Sequence, residues 1–166
     1  MSVPPLYWIV GFVAAQRIAE AIYAERTARA LRRRGAREHA SVQHPFFIAL
    51  HAAWLLAMLL FIPPATVPNW ALVGAFAVVQ VARLWVLFAL GPRWTTRVLV
   101  LPGVPLVRSG PYRFMRHPNY AIVAIEIALL PLAFGALRLA IVFTILNAAL
   151  LAWRVRAEDA ALTDAR

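Results

Sequence analysis

The sequence predicts an all-α integral membrane protein with five transmembrane helices, an irregular interfacial loop before the fourth helix and a C-terminal cytoplasmic helix. Two observations predict this fold class. Of the 166 residues, 63% are hydrophobic and only 14% are charged, whereas soluble domains carry about 25% charged residues. In addition, five apolar stretches approach or exceed the ~20 residues that a helix needs to cross a bilayer.

The five predicted spans follow one another closely and leave no linker for a second domain, so we expect one membrane domain over residues 1–166. The spans cover about residues 4–23, 45–62, 68–90, 119–136 and 139–153. Only Leu137 and Arg138 separate the last two spans, which predicts a tight helical hairpin. The fifth span is short, and we expect its helix to continue into water through "RVRAEDAALTDAR".

The distribution of arginine predicts the orientation, because short cytoplasmic loops retain basic residues and translocated loops lack them. Six arginines lie in the stretch 25–44 and five in the stretch 91–117. The connection "PPATVPN" carries no charge, and no basic residue precedes Arg17. We therefore expect the first segment to be a retained span and not a signal peptide. The sequence therefore predicts an N-terminus outside and a cytoplasmic C-terminus.

The net charge of +10 does not indicate a nucleic-acid binder, because the basic residues cluster between apolar segments. All 17 basic residues are arginine, a bias that together with abundant alanine suggests a GC-rich bacterial genome but does not indicate a location in the cell. From the apolar spans and the orientation, we expect the protein to be integral to the bacterial cytoplasmic membrane. The chain has no cysteine, which excludes disulfides, thiolate zinc sites and cysteine nucleophiles. His44, His51 and His117 lack metal-ligand spacing, and we expect no metal.

The densest polar sequence is "GPYRFMRHPNY", residues 110–120, at the start of the fourth span. Pro118 suits the first position of a helix, where its missing N–H costs nothing. With Arg113 and Arg116, the free N–H groups of this helix start would form a receptor for a carboxylate or phosphate. The simpler interpretation makes both arginines ordinary cytoplasmic anchors. "QHPFF" at 43–47 is a second His-Pro helix start, without tyrosine, asparagine or flanking arginines.

The stretch 91–110 contains too many prolines and glycines to be a helix, yet it is too apolar for a solvated loop. We expect irregular or partly re-entrant backbone there, which a membrane tolerates only where protein covers it or where it lines a cavity. The region 91–120, together with the tail 154–162, is therefore the predicted site.

The tail places Glu158 four residues after Arg154. The simpler interpretation is an i, i+4 pair on a helix leaving the bilayer, worth a few tenths of a kcal/mol. Alternatively, Glu158 folds back to the segment 110–120, where a carboxylate could hold a cation or ribose hydroxyls. The spacing alone favours the simpler interpretation.

Glu126 lies about two turns into the fourth span, where a carboxylate must face another helix and a polar partner. The candidate partners are Arg83, Gln80, His51 and Asn147. Glu20 and Arg17, three residues apart, form another expected pair. Structural polar clamps are the favoured role for these residues, and a proton path is the alternative.

The C-terminal half resembles the isoprenylcysteine carboxyl methyltransferase family of integral membrane enzymes. "GPYRFMRHPNY", followed after a helical hairpin by "RVRAEDAAL", is similar to the family's Gly-Pro-Tyr, Arg-His-Pro-x-Tyr and Arg-x-x-x-Glu-Glu pattern. The resemblance covers residues 91–166. The N-terminal part, with "RIAEAIYAERTARALRRRGAREH" and "HAAWLL", is similar to small bacterial members often encoded beside polyketide synthases.

The resemblance implies S-adenosylmethionine as the cofactor, bound in a pocket that faces the cytosol. The implied cofactor-binding residues are His117, Asn119, Tyr120, Glu158, Tyr112 and Arg113. The implied catalytic residues are Arg154, Arg116 and Glu158. The second acidic position of the family pattern is Asp159 here, one methylene shorter than glutamate, which puts its direct role in doubt.

The implied reaction is methyl transfer to a lipophilic small molecule or prenylated substrate that enters from the bilayer among membrane lipids. Such a transfer needs the acceptor and the methyl carbon aligned in a dry pocket, without a metal. The acceptor would be an alkylpyrone or alkylresorcinol hydroxyl or a prenylcysteine carboxylate, and the small size favours the hydroxyl lipids. The oligomeric state is not predicted.

Two alternatives stay open at the level of sequence. NADPH-dependent membrane reductases of the sterol type share a similar Arg-His-Pro-x-Tyr motif, although they are usually longer and the tail favours methyl transfer. The non-enzymatic alternative is a small transporter or scaffold in which Glu126, Arg83 and Glu20 form a polar pathway.

Overall fold

The structure, a computed structural model, describes residues 3–39, 41–105 and 107–164, with the side chains of residues 159–164 left out. Five α-helices form most of this part of the chain. They are α1 (Pro5–Arg33), α2 (His44–Phe61), α3 (Trp70–Leu90), α4 (Pro118–Ala133) and α5 (Leu137–Asp164). Short 3-10 turns occupy Ser41–Gln43, Gly91–Arg93 and Gly110–Arg113.

Within the described residues, three segments are long and apolar enough to cross a membrane, and they contain most of α2, α3 and α5. Their bounds are Ser41–Phe61, Trp70–Arg93 and Leu137–Glu158. α4 is a shorter apolar helix of 16 residues. The helical membrane class predicted from composition agrees with this architecture, as does the continuation of the fifth helix past Trp153.

α1 is longer than its predicted span. It continues from residue 23 to Arg33, so half of the stretch predicted as a loop is helical. The extension is rich in alanine and arginine, which favour helix. Glu25 accepts a hydrogen bond from Arg29 Nε at 3.1 Å, the i, i+4 spacing that supports a helix in water.

Two short strands, which the sequence analysis did not predict, pair at one end of the helices. β1 (Arg37–His39) runs antiparallel to β2 (Val98–Val100), with Glu38 opposite Leu99. Partial burial of Glu38 opposes its ionisation, but hydrogen bonds from Arg32 and Arg97 outweigh that effect and lower its pKa. The ladder is thereby fixed to the end of α1. Strands of three residues are too short to show a period in the sequence.

The turn between α4 and α5 lies earlier than predicted. Phe134, Gly135 and Ala136 make the turn, and the expected turn residues Leu137 and Arg138 open α5 instead. Gly135 adopts φ of 69°, the left-handed conformation that commonly ends a helix. Its N–H donates to Leu132 O at 2.9 Å.

Four charged residues, which we call the clamp, join α1, α3 and α4; Glu20, Arg83 and Glu126 are buried, and Arg17 is half-buried. Arg83 donates from Nε and Nη2 to the two oxygens of Glu20, both at 2.6 Å, and from Nη1 to Glu126 at 3.1 Å. Arg17 donates to Glu126 at 2.6 Å and to Glu20 at 3.0 Å. Two cations thus balance two anions between the helices.

Two glutamines complete the clamp. Gln80 donates to Glu126 at 2.9 Å, and Gln16 donates to both Gln80 and Glu20. The predicted partners Arg83 and Gln80 of Glu126 are therefore confirmed, as is the pairing of Glu20 with Arg17.

Two other expected partners of Glu126 were wrong. His51 Nδ1 instead donates to Phe47 O at 2.8 Å within α2. Asn147 has no hydrogen-bond partner among the described residues. Beyond the clamp, an apolar core that includes Leu6, Trp54 and Leu130 fills the space between the helices.

We expect Arg83→Met to destabilise the protein by about 3–5 kcal/mol, because it leaves two buried carboxylates with one cation. The thermal unfolding midpoint of the detergent-purified protein measures the effect. Arg138→Met, which changes an exposed arginine near the α4–α5 turn, is the matched control and should leave the midpoint close to the wild-type value. A wild-type midpoint for Arg83→Met would contradict the assigned role of the clamp.

Candidate active site

The antiparallel α4–α5 hairpin brings the start of α4 and the end of α5 together. Tyr120 Oη donates to Glu158 Oε2 at 2.7 Å, and His117 Nδ1 lies 3.6 Å from the same oxygen. Glu158 therefore folds back onto the segment 110–120, contrary to the interpretation that the spacing favoured. No Arg154–Glu158 ion pair occurs among the described side chains, because Arg154 turns toward the strand region instead.

The rings of His117 and Tyr120 stack with centroids 5.1 Å apart and planes 7° from parallel. The stack fixes both rings beside the Glu158 carboxylate. His117, Tyr120 and Glu158 are all half-buried. The carboxylate is thus held in place on one side and accessible on the other, as a ligand-binding group must be.

The turn Gly110–Arg113 packs against the end of α3 and places Tyr112 near the carboxylate. Gly110 adopts φ of 58°, and a Cβ built there would lie 3.1 Å from Ala89 Cβ and 3.4 Å from Trp85 Nε1. Burial, together with the charge of Glu158, raises the pKa of Tyr112 to about 12. The Tyr112 phenol is therefore protonated at neutral pH, able to donate a hydrogen bond but unsuited to act as a base.

The start of α4 offers fewer free N–H groups than predicted. Pro118 has none, and those of Tyr120 and Ala121 both donate to His117 O. Within the described residues, only Asn119 keeps an unpaired N–H in these first positions. The Asn119 side chain contributes more, because its Oδ1 is buried and has no hydrogen-bond partner in that part of the chain.

Arg154 is the buried cation of the site, with 5% of the residue exposed. Its Nη2 donates to Thr96 O at 2.7 Å, and the guanidinium lies over the Phe47 ring at 5.7 Å. Nε and Nη1 are buried and have no partner among the described atoms. Arg17 and Arg83, by contrast, each bind two carboxylates.

Arg113 and Arg116 do not enter this arrangement. Both are exposed, and neither contacts Glu158 through a hydrogen bond or ion pair within the described residues. Arg113 instead lies 5.9 Å from the Phe114 ring centroid. Long exposed arginines beside an apolar helix fit the simpler interpretation as interfacial anchors. The Asp159 side chain lies outside the described residues.

One wall of the site was not predicted from the sequence. Gln43 Nε2 donates to Trp153 O at 3.2 Å, and the buried His44 Nδ1 lies on an element that faces Arg154. Gln43 and His44 belong to "QHPFF", which was considered above only as a comparison for the segment 110–120. The repeated His-Pro helix start was the available signal, because two such starts on one side of a membrane can face each other.

The protein is therefore a helical membrane protein whose polar site lies where the α4–α5 hairpin begins and ends. The family model described as "Isoprenylcysteine carboxyl methyltransferase (ICMT) family" matches residues 70–164. A relative from Bacillus subtilis (strain 168), "Uncharacterized protein YpbQ", is 38% identical over 96% of this chain and 98% of its own length. No solved structure gives a significant match.

The chain belongs to the isoprenylcysteine carboxyl methyltransferase family, which confirms the resemblance seen in its sequence. Its class is therefore that of a membrane methyltransferase, and members of the family use S-adenosylmethionine. The matched residues include the segment 110–120, Arg154 and Glu158. They exclude all of α1 and α2.

Proposed function

We propose that this protein transfers a methyl group from S-adenosylmethionine to an oxygen atom of a lipophilic acceptor. The observation that carries the proposal is the 2.7 Å hydrogen bond from Tyr120 to Glu158. It joins the two segments that carry the family's motifs, although 38 residues separate them along the chain. This hydrogen bond places both motifs at the same site.

The residues around Glu158 fit the cofactor chemically. Both recorded contacts of Glu158 use Oε2, which leaves Oε1 to accept hydrogen bonds from ribose hydroxyls or an ammonium group. The buried Asn119 Oδ1 is a second acceptor without a partner among the described residues. Tyr112 supplies a donor. When bound, S-adenosylmethionine provides a methyl group on a positively charged sulfur, for which a nearby carboxylate is electrostatically favourable.

Arg154 is proposed to bind and orient the acceptor oxygen. A carboxylate acceptor is already ionised, so the guanidinium needs only to hold it in line. For a phenol or enol acceptor, the adjacent cation lowers the pKa of the hydroxyl and so favours the reactive anion. Glu158 thus lies at the cofactor end of the proposed site, and Arg154 lies at its acceptor end. Arg116 is exposed, and we assign it to neither step.

The proposed arrangement in the membrane has five spans, with the N-terminus outside and the C-terminus and site in the cytoplasm. The acceptor's lipid tail enters sideways from the bilayer. Its reacting group is an alkylpyrone or alkylresorcinol hydroxyl or a prenylcysteine carboxylate. The paired charges of the clamp support a structural role for Glu126, Arg83 and Glu20 rather than a transport path.

Cysteine labelling tests the topology cleanly, because the chain has no native cysteine. We expect Ala65→Cys, between α2 and α3, to react with a membrane-impermeant maleimide on intact cells. Ser109→Cys, just before the segment 110–120, should react only after the cells are permeabilised. Labelling of Ser109→Cys on intact cells would contradict the orientation.

Calorimetric titration tests the proposed cofactor site. We expect the detergent-purified protein to bind S-adenosylhomocysteine and not NADPH. Glu158→Ala should weaken that binding by about tenfold or more, because a charge-assisted hydrogen bond is worth roughly 1.5–3 kcal/mol. Glu25→Ala, which removes a carboxylate that pairs with Arg29 and Arg32 on α1 and with Arg97, is the control and should bind as the wild type does. Binding of NADPH instead would make the protein a reductase.

A further inference from the structure

Buried polar side chains in two parts of the structure differ in how fully they are paired. The clamp between α1, α3 and α4 is built from paired charges, and only Gln16 Oε1 and Arg17 Nε lack a partner there within the described residues. Between α2 and α5, by contrast, buried polar atoms lack partners within the described residues. They are Gln43 Oε1, His44 Nδ1, Trp54 Nε1, both amide atoms of Asn147, and Arg154 Nε and Nη1.

These groups share one interface because of the helical register. Phe47 on α2 lies against Arg154 on α5. Seven residues further along α2 is Trp54, and seven residues back along α5 is Asn147. Since seven residues are two helical turns, each returns to the same face, roughly 10 Å deeper in the membrane. Trp54 and Asn147 therefore face each other across the same interface, which we call the α2–α5 seam.

Leaving these atoms unpaired is costly. Gln43 is 2% exposed, and Trp54 and Asn147 are 0% exposed. A buried polar group without a partner costs about 1–3 kcal/mol, and hydrocarbon offers no water to reduce that cost. Apolar side chains would fill the same seam without the penalty. Polar groups retained at such a cost are expected to bind something.

We propose that the α2–α5 seam is the acceptor-binding site, and this inference rests on the proposed function. An acidic oxygen of the acceptor binds Arg154, with Gln43 and His44 completing the polar end. A second hydrogen-bonding group of the same molecule binds Trp54 and Asn147. The ligand class is an amphipathic lipid with an ionisable oxygen and a further polar group at its apolar junction.

Two consequences follow from the position of the seam. The seam is closed over these residues in the structure, so α2 must separate from α5 to admit a lipid from the bilayer. Gln43, His44 and Trp54 also lie outside residues 70–164, which the family model matches. Acceptor choice is thus set partly by α2, while the cofactor end is built by the family's shared segment.

Calorimetry on protein saturated with S-adenosylhomocysteine tests the inference, with 5-pentadecylresorcinol and N-acetyl-S-farnesylcysteine as probes. We expect at least one probe to bind the wild type. Asn147→Leu should weaken that binding by about tenfold, the factor that 1.4 kcal/mol produces, with unchanged affinity for S-adenosylhomocysteine. Its thermal midpoint should stay the same or rise, because an unpaired amide has been removed.

Gln43→Glu is the second variant. It keeps the size of the side chain but places a carboxylate beside Arg154, where it competes with the acceptor's acidic oxygen. The probe should bind about tenfold more weakly or not at all, again with unchanged affinity for S-adenosylhomocysteine. Thr144→Val and Ser41→Ala are the matched controls. Thr144 lies on α5 in a groove shared with α4, and its Oγ1 is also buried without a partner among the described residues, so Thr144→Val removes an unpaired polar group outside the seam. Ser41 is exposed two residues before Gln43.

The outcomes separate the two proposals. Failure of the wild type to bind S-adenosylhomocysteine overturns the proposed function itself. Binding of S-adenosylhomocysteine but of neither probe overturns the assignment of the seam to this lipid class. Wild-type affinity for the probe in both Asn147→Leu and Gln43→Glu overturns the seam as the acceptor site. If Asn147→Leu does not fold, the result with Gln43→Glu decides.

Discussion

A charge buried among apolar helices must be balanced, and this constraint organises the molecule. Arg83 and Arg17 meet Glu20 and Glu126 at distances of 2.6 to 3.1 Å, so α1, α3 and α4 have one favourable arrangement. Replacing one member leaves an uncompensated ion, which is far more costly than the pair itself is stabilising. The clamp therefore specifies the helix packing on which the site is built.

Successive contacts connect the clamp to the site. α1 continues past the apolar segment and holds Glu38 through Arg32, which fixes the strand ladder. The neighbouring Thr96 carbonyl holds Arg154. Arg154 is buried like Arg83, yet no carboxylate side chain among the described residues balances it. The same electrostatic constraint that explains the clamp thus explains why Arg154 suits an anionic ligand.

Hydropathy and charge were enough to predict α2, α3 and the α4–α5 hairpin, because long apolar runs have one stable form in a bilayer. The partners of Glu126 were partly predictable, since a membrane carboxylate needs a cation. The position of Glu158 could not be predicted from the sequence. Its carboxylate could pair with Arg154, four residues before it, or with Tyr120, 38 residues away. Only the hairpin's geometry, which returns α5 to the start of α4, decides between them. The strand ladder could not be predicted, because strands of three residues are too short to show a periodic pattern in the sequence.

The most direct test measures methyl transfer from radiolabelled S-adenosylmethionine to each lipid probe, in wild-type protein and in Arg154→Met. Arg156→Met, an exposed arginine on the same helix, is the matched control. We expect the wild type and the control to transfer the methyl group. Arg154→Met should lose transfer by about 100-fold, or some 2.7 kcal/mol of barrier, with unchanged affinity for S-adenosylhomocysteine. Wild-type transfer by Arg154→Met would contradict the assignment of Arg154 to the acceptor.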